Sequence, residues 1–490
     1  MITNTEFNAW LAKDGEVRCV LVEVEAFSGG TVVTRYLSNT HFDSRPSDSP
    51  ANQGYDDILI AVPRFKSSIG EALGGITSVS MGDIDIDNAG GERDAWLSDA
   101  WDGRAVRLYL GSPSWPKADF RLILAGVAVD IVAKDASTLT LKISDKQQLL
   151  NGPVQKNLIG AGTPNAQKPI PLAYGEVYNI EPLLIDSATR KYQVHDGRIE
   201  AITVVYDNGK SIAFTADLNA GTFTLAAAPV GRVTADVKGC KLGGTYITRT
   251  ADIVQRILTT RTPLTAGDLD SASFAALNSL CPQTVGIYIG DRRNSLNVLD
   301  ELLKSVGGFY GFGRNGQFKL GRLDAPTGIP VIELIADDVE EFGLTVKSRT
   351  LPVATLRLGY KRNFTVQADG LDATVTPARK AELADEYQVV SAVNAGITTA
   401  FLSALSPDIA GTLLVSQSDA QAEANRRAVL FNSLRYRYSL RCFTAPAQIE
   451  LGQMIRLTHP RYGFTTGALA VVIGIDESPT ANAVTLELWR

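Results

Sequence analysis

The chain has 490 residues, enough at roughly 150 residues per domain for about three domains. Hydrophobic residues make up 45% and charged residues 20%, a globular balance that excludes a disordered or collagen-like chain. Lys and Arg number 47 against 53 Asp and Glu, a net charge of −6 with no basic block; this demotes a dedicated nucleic-acid binder, and three histidines (His41, His195, His459) leave little room for His-based catalysis or metal binding. The 43 Gly and 21 Pro punctuate the chain into many short strands joined by turns.

Residues 17–40 read as a hairpin: Val20, Val22 and Val24 alternate, Ser28-Gly29-Gly30 turns the chain, and Thr31–Tyr36 returns it. A polar loop, Ser44–Asn52, precedes strands at Ile76–Met81, Asp83–Asp87, Ala105–Leu110 and Arg121–Val132. Ser144 and Gln147 fit a capping box for a brief helix ended by Asn151-Gly152-Pro153, where the first boundary falls. Beyond Pro169 and Pro171 the chain is strand-like again, with a hairpin turn at Asp207-Asn208-Gly209 and strand character over Ala213–Leu225. Gly243-Gly244 marks the second boundary.

From 245 the apolar period changes from 2 to 3.6. Ile253, Val254, Ile257 and Leu258 share one face of a helix that stops before Pro263; a second helix covers Ser271–Leu280. A strand at Val285–Ile289 precedes a third helix, capped by Asn294 or Ser295, with Leu296, Leu299, Leu302, Leu303 and Val306 as its stripe and Gly307-Gly308 as its left-handed end. The last segment returns to strands at Thr355–Tyr360, Tyr436–Phe443, Gln453–Thr458, Ala468–Ile475 and Val484–Trp489. One helix interrupts it, with Ser418 and Gln421 as a capping box and Ala422, Leu430 and Phe431 among its apolar positions.

The first residues carry acids and polars where a signal peptide needs an apolar core, and the longest apolar runs, Leu122–Val129 and Ala468–Ile475, are far shorter than the roughly 20 residues of a membrane span. The expectation is a chain made and kept soluble in a cytoplasm. Cys19, Cys240, Cys281 and Cys442 have no CxxC spacing and are expected as buried free thiols.

Gly311-Phe-Gly313-Arg-Asn-Gly316 matches GxGxxG, but a helix precedes it and a strand follows, the reverse of a dinucleotide fold; Asn315-Gly316 reads instead as a type I′ turn between Phe309–Gly313 and Gln317–Leu323. Asp83, Asp85 and Asp87 resemble the opening of an EF-hand loop, yet Asn88 stands where Gly is needed and Asp94 where Glu is needed, so a half-buried strand competes with a calcium site. Arg435, Arg437 and Arg441, with Arg426-Arg427 before them, form either a basic stripe toward DNA or an acidic partner, or a solvated strand face paired with acids. There is no GxSxG, Walker A or HExxH motif; paired carboxylates with Trp10, Trp96, Trp101 and Trp115 lining a sugar cleft are the enzymatic alternative. No catalytic residue, cofactor or metal ligand is assigned.

Several stretches together resemble the tail-tip (baseplate) hub proteins of long-tailed, siphovirus-type bacteriophages. These are Leu21-Val-Glu-Val-Glu25, Tyr36-Leu-Ser-Asn39 and Tyr55-Asp-Asp-Ile58; Pro171-Leu-Ala-Tyr174-Gly175-Glu-Val177, Tyr192-Gln-Val194 and Val205-Tyr-Asp-Asn-Gly209. They continue with Leu299-Asp-Glu-Leu-Leu303, Gly307-Gly-Phe-Tyr-Gly311, Gly316-Gln-Phe-Lys-Leu-Gly321 and Arg357-Leu-Gly-Tyr360-Lys-Arg-Asn363. Leu451-Gly-Gln-Met-Ile455-Arg-Leu-Thr458 and Val484-Thr-Leu-Glu-Leu-Trp489 complete the set.

The resemblance implies a mainly β, multi-domain α+β chain with tube-protein-like β domains at both ends (1–153 and 331–490), an inserted small β-barrel (154–244) and a central α/β domain (245–330). It implies a homotrimer in the virion tail tip, assembled in the host cytoplasm, that closes the tail tube and opens for DNA ejection. Its partners would be the distal tail protein, the tape-measure protein and tip or fibre proteins, with DNA passing through unbound. Because the chain ends directly after its last strand, receptor binding is expected to fall to separate fibres. The rival reading is a virion-borne or secreted glycan-degrading enzyme on a β scaffold.

Overall fold

A computed structural model of the chain describes residues 2–13, 15–70, 74–444 and 447–490. The fold is mainly β, with 42% strand and 19% helix. Its first unit is a nine-stranded sheet in the spatial order Phe42–Asp43, Gly54–Asp57, Thr31–Ser38, Cys19–Ser28, Ala105–Gly111, Arg121–Asp135, Thr138–Ser144, Ile84–Asp87 and Leu59–Ala61. The expected first hairpin is present: Ser28 pairs with Thr31, and Gly29 and Gly30 take φ of 59° and 87°, the two left-handed residues a type I′ turn demands.

Period-2 alternation then sorts the faces. Val20, Val22 and Val24 enter a core with Ile84, Ile86, Val106, Leu108 and Leu141, while Cys19 and Leu21 pack on Phe42, Tyr55 and Phe120 behind the sheet. An N-terminal helix, Asn4–Leu11, was not anticipated; it is short, held by a reciprocal Thr3/Glu6 capping box, and buries Phe7, Trp10 and Leu11.

The second sheet has ten strands. Its main path runs Phe318–Arg322, Gly308–Phe312, Gly75–Met81, Phe65–Ile69, Ala468–Glu477, Ala483–Trp489, Arg435–Phe443 and Val339–Thr350; Met454–Leu457 and Ile332–Leu334 extend it from Ala468–Glu477. Strands from near both ends of the chain are therefore neighbours: Glu477 pairs with Phe65, and Phe309 and Tyr310 run parallel to Gly75 and Ile76.

Between these units, a six-stranded sheet containing Leu172–Ile180, Ile199–Asp207, Val233–Leu242 and Gly286–Ile289 shares a core with a four-stranded sheet. Asn208 (φ 48°) and Gly209 (φ 80°) make the expected type I′ turn. Gly175 and Gly286 face each other across a ladder so tight that a Cβ on either would lie 1.7 Å from a carbonyl oxygen of the partner strand.

The helices Thr250–Arg261, Ser271–Leu280 and Ser295–Ser305 follow the 3.6-period pattern. Ile253, Val254, Ile257, Leu258, Leu299, Leu302 and Leu303 are fully buried in one core with Ala420 and Ala424 of the helix Gln417–Phe431 and with Leu358 and Val390 of a three-stranded sheet. Ladders run across positions 153 and 244, as Gly286–Ile289 joins Leu172–Ile180 and Gly308–Phe312 joins Gly75–Met81, and the shared helical core runs across 330 to Leu358 and Val390.

Three local readings are corrected. The helix after 144 is a 3₁₀ turn, Lys146–Leu150, capped by the Asp145 side chain on the Gln147 amide rather than by Ser144. The helix near 418 starts earlier, capped by Ser416 on the Asp419 amide. The Phe309–Leu323 hairpin forms, but only Gly316 of its Asn-Gly pair is left-handed (φ 71°); Gly316 donates to the Gly313 carbonyl and Gly313 to the Gln317 carbonyl, a type I turn closed by a glycine bulge.

Candidate functional surfaces

The GxGxxG motif serves packing. A Cβ at Gly311 would lie 1.8 Å from Thr77 Oγ1 on the neighbouring strand, and one at Gly316 would press on the Ala125 carbonyl at 3.0 Å. The residue that matters in the turn is Arg314, which sequence reasoning passed over. Its carbonyl accepts from the Ala125 amide at 2.6 Å, docking the hairpin on the nine-stranded sheet. Its guanidinium is buried over the Phe65 ring, donating to Glu477 Oε1 at 2.6 Å and to the Ile449 carbonyl at 2.7 Å. Beside it, Phe309, Gly311, Lys319 and Glu450 line a cavity of about 420 Å³. Lys319 Nζ sits 2.6 Å from Glu450 and 3.8 Å from Asp270, so the charges there are already paired.

Asp83, Asp85 and Asp87 lie along a half-buried strand, with Ile84 and Ile86 fully buried between them. Hydrogen bonds from Lys134 and Thr140 hold the Asp85 carboxyl below its usual range. Among the described residues, no group of three or more His, Cys, Asp or Glu is placed to hold a metal ion. His41 is exposed beside Asp43, His459 Nδ1 accepts the Arg461 amide, and His195 is buried with Nδ1 accepting the Ala173 amide at 3.0 Å. The four cysteines are free and buried, and burial pushes Cys19 and Cys442 up to about 12.

The tryptophans form packing pairs. Trp10 packs against Trp115 in a tilted pair with centroids 4.6 Å apart, and Trp96 lies 6.1 Å from Trp101 with Arg35 over its ring.

The arginine stripe divides into separate roles. Arg441 is exposed and pairs with Glu340 at 2.7 Å, as the solvated-face reading expects, whereas Arg437 is mostly buried and pairs with Glu487 at 3.6 Å. Arg426 and Arg427 turn inward onto Glu423 at 2.7 and 2.6 Å. Burial alone would raise the Glu423 carboxyl, but the hydrogen bond from Arg426 and the two guanidinium charges hold it below its usual range. Arg435 donates to the carbonyls of Leu430 and Val429 and stacks on Trp489. Next to this cluster Ala325, Val429, Leu430, Met454 and Val471 line a second cavity, of about 590 Å³, that also includes Arg322 and Arg426.

The other feature the sequence did not announce is the free edge of the ten-stranded sheet, Val339–Thr350. Residues 345–350 are all exposed, and Phe342 is 88% exposed. No described helix is long and apolar enough to cross a membrane.

Together these features define a multi-sheet β protein whose most distinctive unpaired features lie on sheet edges and rims. No family model and no curated protein sequence matches the chain. Similar solved structures include a tail protein from Neisseria meningitidis MC58, covering 96% of each chain at 9% identity with a TM-score of 0.40. The 43 kDa tail protein of prophage MuSo2 from Shewanella oneidensis covers 97% of this chain and 98% of its own, at 9% identity and a TM-score of 0.37. A chain in the virion of a native gene transfer agent particle covers 69% of this chain and 87% of its own, at 15% identity and a TM-score of 0.42. The structural neighbours are thus tail and virion proteins.

Proposed function

We propose that the chain is a structural protein of the virion tail tip: a trimeric hub that adapts and closes the tail tube, anchors tip and fibre proteins and opens for DNA ejection. The observation that carries this reading is the interleaving of the two terminal β regions. Phe65–Ile69 and Gly75–Met81 sit between Ala468–Glu477 and Gly308–Phe312 in one continuous sheet. One chain then presents two β units joined by strand pairing, and three copies supply the six units a six-fold tube requires.

In such a ring, neighbouring copies cover sheet edges that a lone chain leaves open. Residues 1–153 and 331–490 would build the ring, with 154–244 and 245–330 beside it, and its partners would be the distal tail, tape-measure and tip or fibre proteins. A net charge of −6 suits a conduit through which DNA passes without being gripped. Electron microscopy of the purified protein and of labelled particles tests the reading. Three-fold rings at a tail tip are expected; dispersed monomers that cleave glycans would overturn it.

A further inference from the structure

The free edge strand Val339–Thr350 carries an irregularity with a purpose the monomer does not supply. Val339 pairs with Cys442 and the next pair is Leu344 with Leu440, so residues 340–343 bulge out opposite Arg441 alone. Gly343 lets the bulge close, since a Cβ there would lie 2.6 Å from the Arg441 carbonyl. Phe342, at the crest, is 88% exposed and takes a left-handed φ of 59°, a conformation unfavourable for a bulky side chain. Phe443 is exposed on the adjacent strand, and Glu340 and Glu341 precede Phe342 in the bulge; Glu340 pairs with Arg441 at 2.7 Å, whereas Glu341 has no ion-pair partner among the described residues.

A complementary feature lies where the chain after Phe318–Arg322 meets Met454 and Val471 on interior strands of the same sheet. The 590 Å³ cavity there has an apolar floor of Ala325, Leu430, Met454 and Val471, with the exposed Val429 among its lining residues. Its surroundings hold Arg322, Arg426, Arg427 and Arg435 against Asp324 and Glu423. Arg435 has only carbonyls and the Trp489 ring as partners among the described residues. Positive charge is in excess beside an apolar cavity, and the unpaired Glu341 adjoins an exposed aromatic residue in sequence.

We propose that the Glu340–Phe342 bulge of one copy inserts into the Arg322–Arg426 cavity of a second copy of this chain. Phe342 fills the apolar floor, and Glu341 meets the unneutralised guanidinium of Arg435. Charge complementarity selects a second copy as the occupant, because both halves of the match are left over on one chain. Knob and cavity are different surfaces of one chain, so the contact is head to tail, closing as a ring where the rotation between copies allows it and otherwise propagating as an open chain. Only closure as a ring, and its size of three, rest on the hub reading above.

The test mixes two variants of the full chain, each with one added cysteine, Thr345→Cys on the exposed edge beside the bulge, which keeps Phe342 and Glu341, and Val429→Cys at the cavity, and treats them with a short bis-maleimide. The native cysteines are buried and stay silent. A covalent dimer is expected in the mixture and in neither variant alone. A dimer from Thr345→Cys alone, or no cross-link at concentrations where the chain oligomerises, overturns the contact. So does a chain that stays monomeric and uncross-linked.

As a second measurement in the otherwise native chain, Glu341→Arg is expected to weaken self-association by about tenfold in sedimentation, with folding unchanged by circular dichroism. No change in association would overturn the charge match. Three-membered particles without the 345–429 cross-link remove this contact and leave the hub standing. Cross-linked open chains without three-fold particles keep the contact and remove the hub.

Discussion

Replacing Arg314 by alanine isolates what the glycine-rich hairpin contributes. The guanidinium is 8% exposed and Glu477 is 4% exposed, so the pair sits out of water. Without Arg314 the Glu477 carboxylate keeps one hydrogen bond, from the Ala447 amide at 3.0 Å, and the Ile449 carbonyl loses the donor at 2.7 Å. Stranding one member of a buried ion pair costs about 3–5 kcal/mol. Loss of the guanidinium over Phe65 adds about 0.5–1 kcal/mol.

The hairpin strands Gly308–Phe312 and Phe318–Arg322 should therefore open about 4 kcal/mol more easily. Hydrogen exchange of peptides covering 308–322 reads this directly, since it reports local opening in a chain of several units. Replacing both partners, Arg314→Met with Glu477→Met, removes the stranded charge and should return protection to within about 2 kcal/mol of the native chain. The reasoning is wrong if Arg314→Ala changes protection by less than about 1 kcal/mol, or if the double variant is as exposed as the single one.

Three further outcomes are expected. Burial, and then the Arg261 charge, lower His195 from 6.5 to about 4, so the folded state holds it neutral while the unfolded chain takes up a proton. Stability of its domain should be complete above pH 6.5 and fall by about 3 kcal/mol as pH drops through 4. In denaturation at stepped pH, His195→Gln, which keeps an acceptor for the Ala173 amide, should flatten that loss.

Asp145 behaves oppositely: burial raises it from 3.8 to about 6, so its contribution is present below pH 3.8 and lost as pH rises through 6. Asp145→Asn retains the helix cap and should stabilise the protein at pH 7 by about 2–3 kcal/mol in urea titrations, an effect absent at pH 3. Phe342→Gly releases the left-handed strain and should stabilise the isolated chain by up to about 1 kcal/mol in thermal melts, while abolishing self-association in sedimentation; a stability gain with association intact contradicts the role given to the ring.

What the sequence alone determined were features governed by a few neighbouring residues. The helices at 250–261, 271–280 and 295–305 were legible because a 3.6 period marks a buried stripe whatever it packs against. The hairpins at Gly29-Gly30 and Asn208-Gly209 were legible because only such pairs tolerate two left-handed residues. Aspartates alternating with Ile84 and Ile86 likewise announced a half-buried strand.

Tertiary structure alone decided which strands became neighbours. Alternation names the buried face of Gly75–Met81 but not its partner Gly308–Phe312, more than 220 residues away, because loop-closure entropy grows only with the logarithm of the intervening length. The same holds for charge. Arg314 reaches Glu477 across 163 residues, and Arg426 and Arg427 turn inward rather than forming a basic face, because a charge can be buried only where folding brings a counter-charge to it. The edge at Phe342 and the cavity beside Arg435 come from the same source: a sheet assembled from distant segments ends wherever its last strand lies, and what that edge leaves exposed is set by the assembled fold.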